Sequence, residues 1–207
     1  RRRGIGACMN TLATAGGSAA APFALGQYTI KRPFLTLFGR KFHVFGPDGQ
    51  QVMYVKHKIL TFKDEWNIFT DEGESTALIR VKARQAIGLN IVTDVFDAKS
   101  GEKVGAVRNQ GLKSIVRDTW EVLDNSDNVV GKFGEDSNAL LRRFIPILLG
   151  HWHMEMNGST VATVDQQFRF FTKEFTLAVT DKSKVDPRLA VACAMLALMR
   201  ELMREAR

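Results

Sequence analysis

The feature that most restricts the fold is an unbroken apolar run, Leu189 to Met199. It is eleven residues long and lies near the end of a chain that elsewhere alternates polar and apolar residues. Asp186 is placed to cap a helix there, and Pro187 falls at the first helical position, where its missing N–H leaves no bond unmade. A helix apolar on every face must be enclosed by protein or by lipid. At about 1.5 Å per residue the run covers ~16 Å, against a hydrocarbon core of ~30 Å. Arg188 on one side and Arg200, Glu201, Arg204 and Glu205 on the other bar its extension, so the expected enclosure is protein. Ala190, Ala192, Ala194 and Ala197 keep the rod thin, and Met195, Met199 and Met203 fall on one face, where flexible side chains fill irregular gaps.

What encloses it is written in the preceding residues as five hairpins. Lys41–Phe45 and Gln51–Lys56 flank Pro47-Asp48-Gly49, and Glu65–Thr70 and Ala77–Arg84 flank Asp71-Glu72-Gly73-Glu74. Asn90–Phe96 and Lys103–Arg108 flank Ala98 to Gly101, and Thr119–Leu123 and Val129–Phe133 flank Asn125 to Asn128. His151–Met156 and Thr160–Gln166 flank Asn157-Gly158. Two-residue alternation broken by turn formers is the mark of antiparallel pairs. Tyr28–Lys31 and Phe175–Thr180 bring the expected strands to twelve. Twelve antiparallel strands must hide their edges. The expected fold is mainly β: a closed twelve-stranded antiparallel barrel enclosing the hydrophobic C-terminal helix. A second helix is expected over Ser137–Leu149, with Pro146 bending or ending it. Residues 1–22, rich in Gly, Ala, Ser and Thr, read as a flexible tail or linker ahead of one domain over 23–207.

Four segments in order resemble the LURP-one-related family, grouped with the phospholipid scramblases and the tubby C-terminal domain. They are Phe23 to Lys56, Arg80 to Gln85, Ser100 to Asp124 (SGEKVGAVR, then GLKSIVRDTWEVLD from Gly111), and Asp186 to Leu198. The resemblance spans about residues 23–200 and implies the same barrel around a C-terminal helix. It also implies phosphoinositide binding or lipid movement in some relatives, with no residue carried over. One fold serves many roles, so the function has to be argued from residues.

The formal net charge is +7, and Arg1, Arg2 and Arg3 supply three of it. Arg80, Lys82 and Arg84 alternate with Val81 and Ala83 and so share one face of a strand. Lys31 and Arg32, with Arg40-Lys41 and Lys56 to Lys58, are their expected neighbours in a cationic patch for lipid phosphates, each charge adding about 1 kcal/mol near an anionic surface. The plainer alternative is a solvated exterior with lysines guarding the strands. Arg142 and Arg143, beside the Phe144–Leu149 run, fit an interfacial helix, or more simply a helix plugging one barrel mouth.

His151, His153 and Glu155 share a strand face, yet zinc asks for further ligands, so a polar face is the preferred reading. Asp124 to Asn128 lacks the glycine and closing glutamate of a calcium loop and reads as a turn. No nucleophile elbow, P-loop, HExxH or paired-Cys motif is present. Cys193 is a packing group inside the helix.

The sequence therefore points to a non-enzymatic, cytoplasmic barrel without cofactor or metal. It would dock peripherally on anionic phospholipid through Lys31, Arg32, Arg80, Lys82, Arg84, Arg142 and Arg143. Two alternatives stand beside it: a scramblase-like transporter whose final helix inserts, and a protein–protein or small-ligand interaction module. Nucleic acid is not an expected partner, because no ordered set of stacking aromatics accompanies the basic residues.

Overall fold

The computed structural model describes residues 21–33, 40–57, 65–85, 90–109, 119–136, 149–169 and 172–205. Within them lie strands β1 (Gln27–Pro33), β2 (Arg40–Phe45), β3 (Gln51–His57), β4 (Glu65–Phe69), β5 (Ala77–Ala83) and β6 (Val92–Asp97). They continue as β7 (Lys103–Asn109), β8 (Thr119–Leu123), β9 (Val129–Glu135), β10 (His151–Met156), β11 (Ser159–Gln167) and β12 (Thr172–Val179). One helix, α1 (Pro187–Glu205), closes the chain, and a short 3-10 turn covers Ala21–Ala24. Each strand pairs antiparallel with its neighbours in sequence, and β1 closes the ring on β12, with Tyr28 opposite Leu177 and Ile30 opposite Phe175. This is the closed twelve-stranded barrel the alternation predicts, with strand limits within three residues of those expected.

Alternation decides which side chains meet. Ile30, Val55, Ile68, Val81, Val95, Val122, Val164 and Leu177 point inward and are fully or almost fully buried. They meet α1, whose Val191, Ala192, Cys193, Ala194 and Met195 have no exposed surface. Every full side-chain burial of this kind contributes roughly 1.5–3 kcal/mol, so the rod and the inner wall supply the core. The small residues do what thinness requires. At Gly105 on β7 a Cβ would stand 2.8 Å from Leu189 Cδ2 and 2.7 Å from the Leu123 carbonyl oxygen, so strand and helix meet there without room for a methyl group.

The helix begins as the sequence predicts. The backbone N–H of Arg188 donates to Asp186 Oδ1 at 2.9 Å, and the Leu189 N–H donates to the Asp186 carbonyl at 3.0 Å. The Arg188 guanidinium then joins Asp186 (2.6 Å) to Asp97 (2.8 Å), fastening the first turn to β6. At its far end the rod stays enclosed longer than expected: Glu201 and Leu202 are still buried, whereas Met203 is exposed and does not serve as core filling. No described helix is long and apolar enough to cross a membrane.

The topology gives the barrel two unlike ends. Tight connections such as 46–50, 98–102, 124–128 and 157–158 lie at one end, where Asn157 and Gly158 both take the left-handed backbone (φ 49° and 77°) of a two-residue hairpin turn. At the other end β1, β3, β5, β7 and β9 finish and β2, β4, β6, β8 and β10 begin, with longer sequence separations between them. Helix α1 enters at the tight end and emerges at this long-connection end. The expected second helix, Ser137–Leu149, lies outside the described residues over 137–148, Arg142 and Arg143 included, and its last residue, Leu149, is described and is not helical.

Candidate functional site

The cationic patch is the first feature to place. Arg80 and Lys82 share the outer face of β5, and Arg84, the next alternate residue, follows just past its end. Their charges are largely answered. Lys82 lies 3.8 Å from Glu65 across the strand pair. Arg84 binds Asp94 at 2.7 Å and Asp127 at 2.6 Å, and Lys103 approaches the same two carboxylates at 3.3 and 2.5 Å. Hydrogen bonds from Arg84 and Lys103 hold the Asp127 carboxyl below its usual range. They do the same at Asp94 against the opposing effect of its burial. Arg80 rests on the face of Phe96, 5.0 Å from the ring centroid.

Lys31 is four strands away around the ring, 3.9 Å from Glu174 and over the ring of Phe45. Arg32 corrects the expectation. It alternates with Tyr28 and Ile30 on the inner face of β1 and is 8% exposed, so it belongs to the barrel interior. Two adjacent basic letters in a strand necessarily face opposite sides, and here the second one is inside. The seven residues therefore do not assemble into one patch: two lie outside the described residues, one is inside, and Lys31 is remote from β5.

His151 and His153 share the outer face of β10 with Glu155, and every ring nitrogen meets a carboxylate. His151 stands between Asp165 and Asp136, the latter at 3.5 Å; His153 stands between Asp136 at 2.5 Å and Glu155 at 3.0 Å. A neutral imidazole carries a single N–H, so each ring donates to one carboxylate, or to both when protonated. Lys132 donates to Glu155 and holds its carboxyl low. The result is a polar ladder across β9, β10 and β11, and no group of metal-holding geometry occurs among the described residues. Asp124 likewise does turn work, accepting from the backbone N–H groups of Ser126 (2.8 Å) and Asn128 (2.9 Å).

A feature that no sequence motif marks lies at the long-connection end. There the last turns of α1 leave a cavity of about 180 Å³ against the inner wall of β4 to β8. Trp66 and Trp120 line it from the strands, with Val107 between them, and Leu196, Met199 and Met203 line it from the helix. Both indoles are nearly buried, while Met203 at 47% exposure marks the opening. Thr93, Asn109 and Arg200 are its polar members, and the Arg200 guanidinium carbon lies 5.8 Å from the centroid of the Trp120 ring. Arg200 is the charged residue among the described members of this lining.

The signal for this site was present in two spacings. Trp66 and Trp120 are each the second residue of a strand that follows a long connection, which puts both at the same barrel end on the inner face. Leu196, Met199, Arg200 and Met203 fall at i, i+3, i+4 and i+7, one helix face. Neither spacing means anything until the barrel closes and the helix is threaded through it.

No protein-family model matches the sequence, and no curated protein matches it. Among solved structures, the X-ray structure of a protein from Arabidopsis thaliana is similar at 13% identity and a TM-score of 0.49, over 90% of this chain and 99% of that one.

Proposed function

We propose that this chain is a non-catalytic binding module that takes a small apolar ligand into the crevice between α1 and the inner face of β4 to β8. The observation that carries this reading is the crevice itself: a cavity walled by two tryptophans and two methionines, open at the end where the connections are long. Binding sites are commonly concave, mostly apolar and furnished with a few polar groups, and this one has that composition. A passive scaffold is in keeping with the chemistry elsewhere. The described histidine side chains, His43, His151 and His153, face carboxylates or an amide, and Cys193 is buried with its thiol pushed far up by desolvation. We assign the chain to the LURP-one-related family on the resemblance of Phe23 to Lys56, Arg80 to Gln85, Ser100 to Asp124 and Asp186 to Leu198 to that family.

The test is a titration with single-ring phenyl compounds followed by tryptophan fluorescence. Trp66 and Trp120 report from the crevice, and Trp152 is buried against Phe175 elsewhere. A saturable change that Leu196→Phe abolishes, with the barrel still folded, supports the reading. Identical responses in the two proteins refute it.

Docking on anionic membrane is the second reading, now resting on Arg80 and Lys82. Among the described residues no carboxylate lies within 4 Å of Arg80, and the Lys82 side chain is 59% exposed beside a carboxylate 3.8 Å away. Liposome flotation tests it: binding that needs anionic lipid, fades with salt and drops on Lys82→Glu supports docking, and no flotation at any composition sinks it.

A further inference from the structure

We infer that the ligand of this crevice is a single aromatic ring carrying one hydroxyl group, a phenol, and that Thr93 is the residue that selects it. This rests on the reading of the crevice as a ligand site and adds the group the ligand must present. Thr93 is the second residue of β6, as Trp66 is of β4 and Trp120 of β8, so the three stand at one level of the rim. Around the ring β6 lies midway between β4 and β8, and Thr93 is paired with Val107 of β7, another residue of the lining. Thr93 alternates with Val95, which is fully buried, and so faces inward. It sets a hydroxyl between two indoles in an otherwise apolar stretch of wall.

That hydroxyl has no hydrogen-bond partner among the described residues, whereas Asn109 and Arg200 each have an interaction within the protein, the contact of Arg200 with the Trp120 ring among them. A ligand that fills the crevice takes the Thr93 hydroxyl out of water. Leaving a buried hydroxyl unpaired costs more than a made bond returns, so the wall rejects a ring that brings no partner. Threonine both donates and accepts, and a phenol does the same, so the two can pair in either sense. An apolar cavity of ~150 Å³ takes a benzene, so about 180 Å³ takes one ring with a small substituent. Indole faces and thioether sulfurs are favourable neighbours for a planar ring, and Trp66, Trp120 and Met199 present both.

The experiment compares phenol with toluene, matched in shape and differing in the hydroxyl, and with cyclohexanol, which keeps the hydroxyl and loses the aromatic ring. Affinities are read by NMR titration of the full chain as wild type, Thr93→Val, Thr93→Ser and Leu196→Phe. Valine keeps the shape of threonine and its preference for strands. Thr93→Val should weaken phenol and tighten toluene, lowering the ratio of their affinities about tenfold. Thr93→Ser keeps the hydroxyl and should keep the wild-type ratio. Phenol should bind more tightly than cyclohexanol, and Leu196→Phe should remove all binding.

A phenol-to-toluene ratio that Thr93→Val leaves unchanged overturns the selection by Thr93, while the crevice stands as a ligand site. Cyclohexanol binding as tightly as phenol overturns the aromatic class. If no compound binds the wild-type protein, or if Leu196→Phe changes nothing, the crevice is not a ligand site and the underlying reading fails with it.

Discussion

Substituting Gly105 by alanine tests whether the helix runs inside the barrel as described. A Cβ at this position would stand 2.7 Å from the Leu123 carbonyl oxygen, 2.8 Å from Leu189 Cδ2 and 3.4 Å from Leu189 Cδ1. The first neighbour is backbone of the adjacent strand β8 and cannot swing away. The second is the tip of a side chain that is itself almost fully buried. Overpacking of this kind costs about 1–3 kcal/mol. Replacing glycine also stiffens the unfolded chain, which returns about 0.4–1 kcal/mol. The steric cost is larger, so a net loss of about 1–2 kcal/mol is expected. At roughly 2–4 °C per kcal/mol for a domain of this size, the melting temperature falls by about 2–8 °C.

The assay is urea unfolding of four proteins: wild type, Gly105→Ala, Leu189→Ala and the double variant. Leu189→Ala alone costs about 2–5 kcal/mol by opening a cavity. In its background the methyl at position 105 loses its two Leu189 neighbours and keeps the Leu123 carbonyl. Its cost should therefore shrink by about 0.5–1 kcal/mol without vanishing. A Gly105→Ala protein as stable as wild type, or strict additivity in the cycle, would refute the contact between β7 and α1 and with it the threaded helix.

Three further outcomes follow from the same geometry. Ala194 has no exposed surface in the middle of the rod, so Ala194→Asp should leave no soluble folded protein, as judged by circular dichroism and gel filtration; a folded variant would place the helix outside the barrel. Asp97 is held below the ordinary carboxylate range by the Ser100 backbone N–H and by Arg188, and Asp94 by Arg84 and Lys103 against its burial. Such groups stabilise the fold above their unfolded pKa of ~4, and the contribution is lost as pH falls through their lower folded values. Unfolding free energy should therefore be level from pH 7 to 5 and decline below about pH 4, with a shallower decline in Asp94→Asn; a stability that does not change down to pH 3 contradicts the pairing. Burial pushes the Cys193 thiol far up, so a Cys8→Ala protein should show no reactive thiol at pH 8 when native and one after unfolding in guanidinium; rapid native reaction would mean the helix leaves the barrel.

Asn157-Gly158 and Asp124 to Asn128 announced their turns because the dihedrals and side-chain hydrogen bonds are local. The Asp186-Pro187 start of the helix was legible for the same reason. Which strand residue faces inward was legible only relative to its neighbours: Lys31 and Arg32 must oppose each other, but nothing local says which is inside until Tyr28 and Ile30 fix the register against Leu177 and Phe175. The ion pairs that answer the basic strands were not legible at all. Asp94 and Asp127 reach Arg84 from 10 and 43 residues away, distances that close only in the barrel.

By itself, then, the sequence determined the closed barrel and its filler. Alternation, turn chemistry and an eleven-residue run apolar on all sides are short-range patterns with a single economical burial. The tertiary structure alone decided the site. Trp66, Trp120 and Arg200 are each ordinary where they stand in the chain. They become one cavity only because closure brings β4 and β8 to the same rim and the threaded helix delivers its last turns between them.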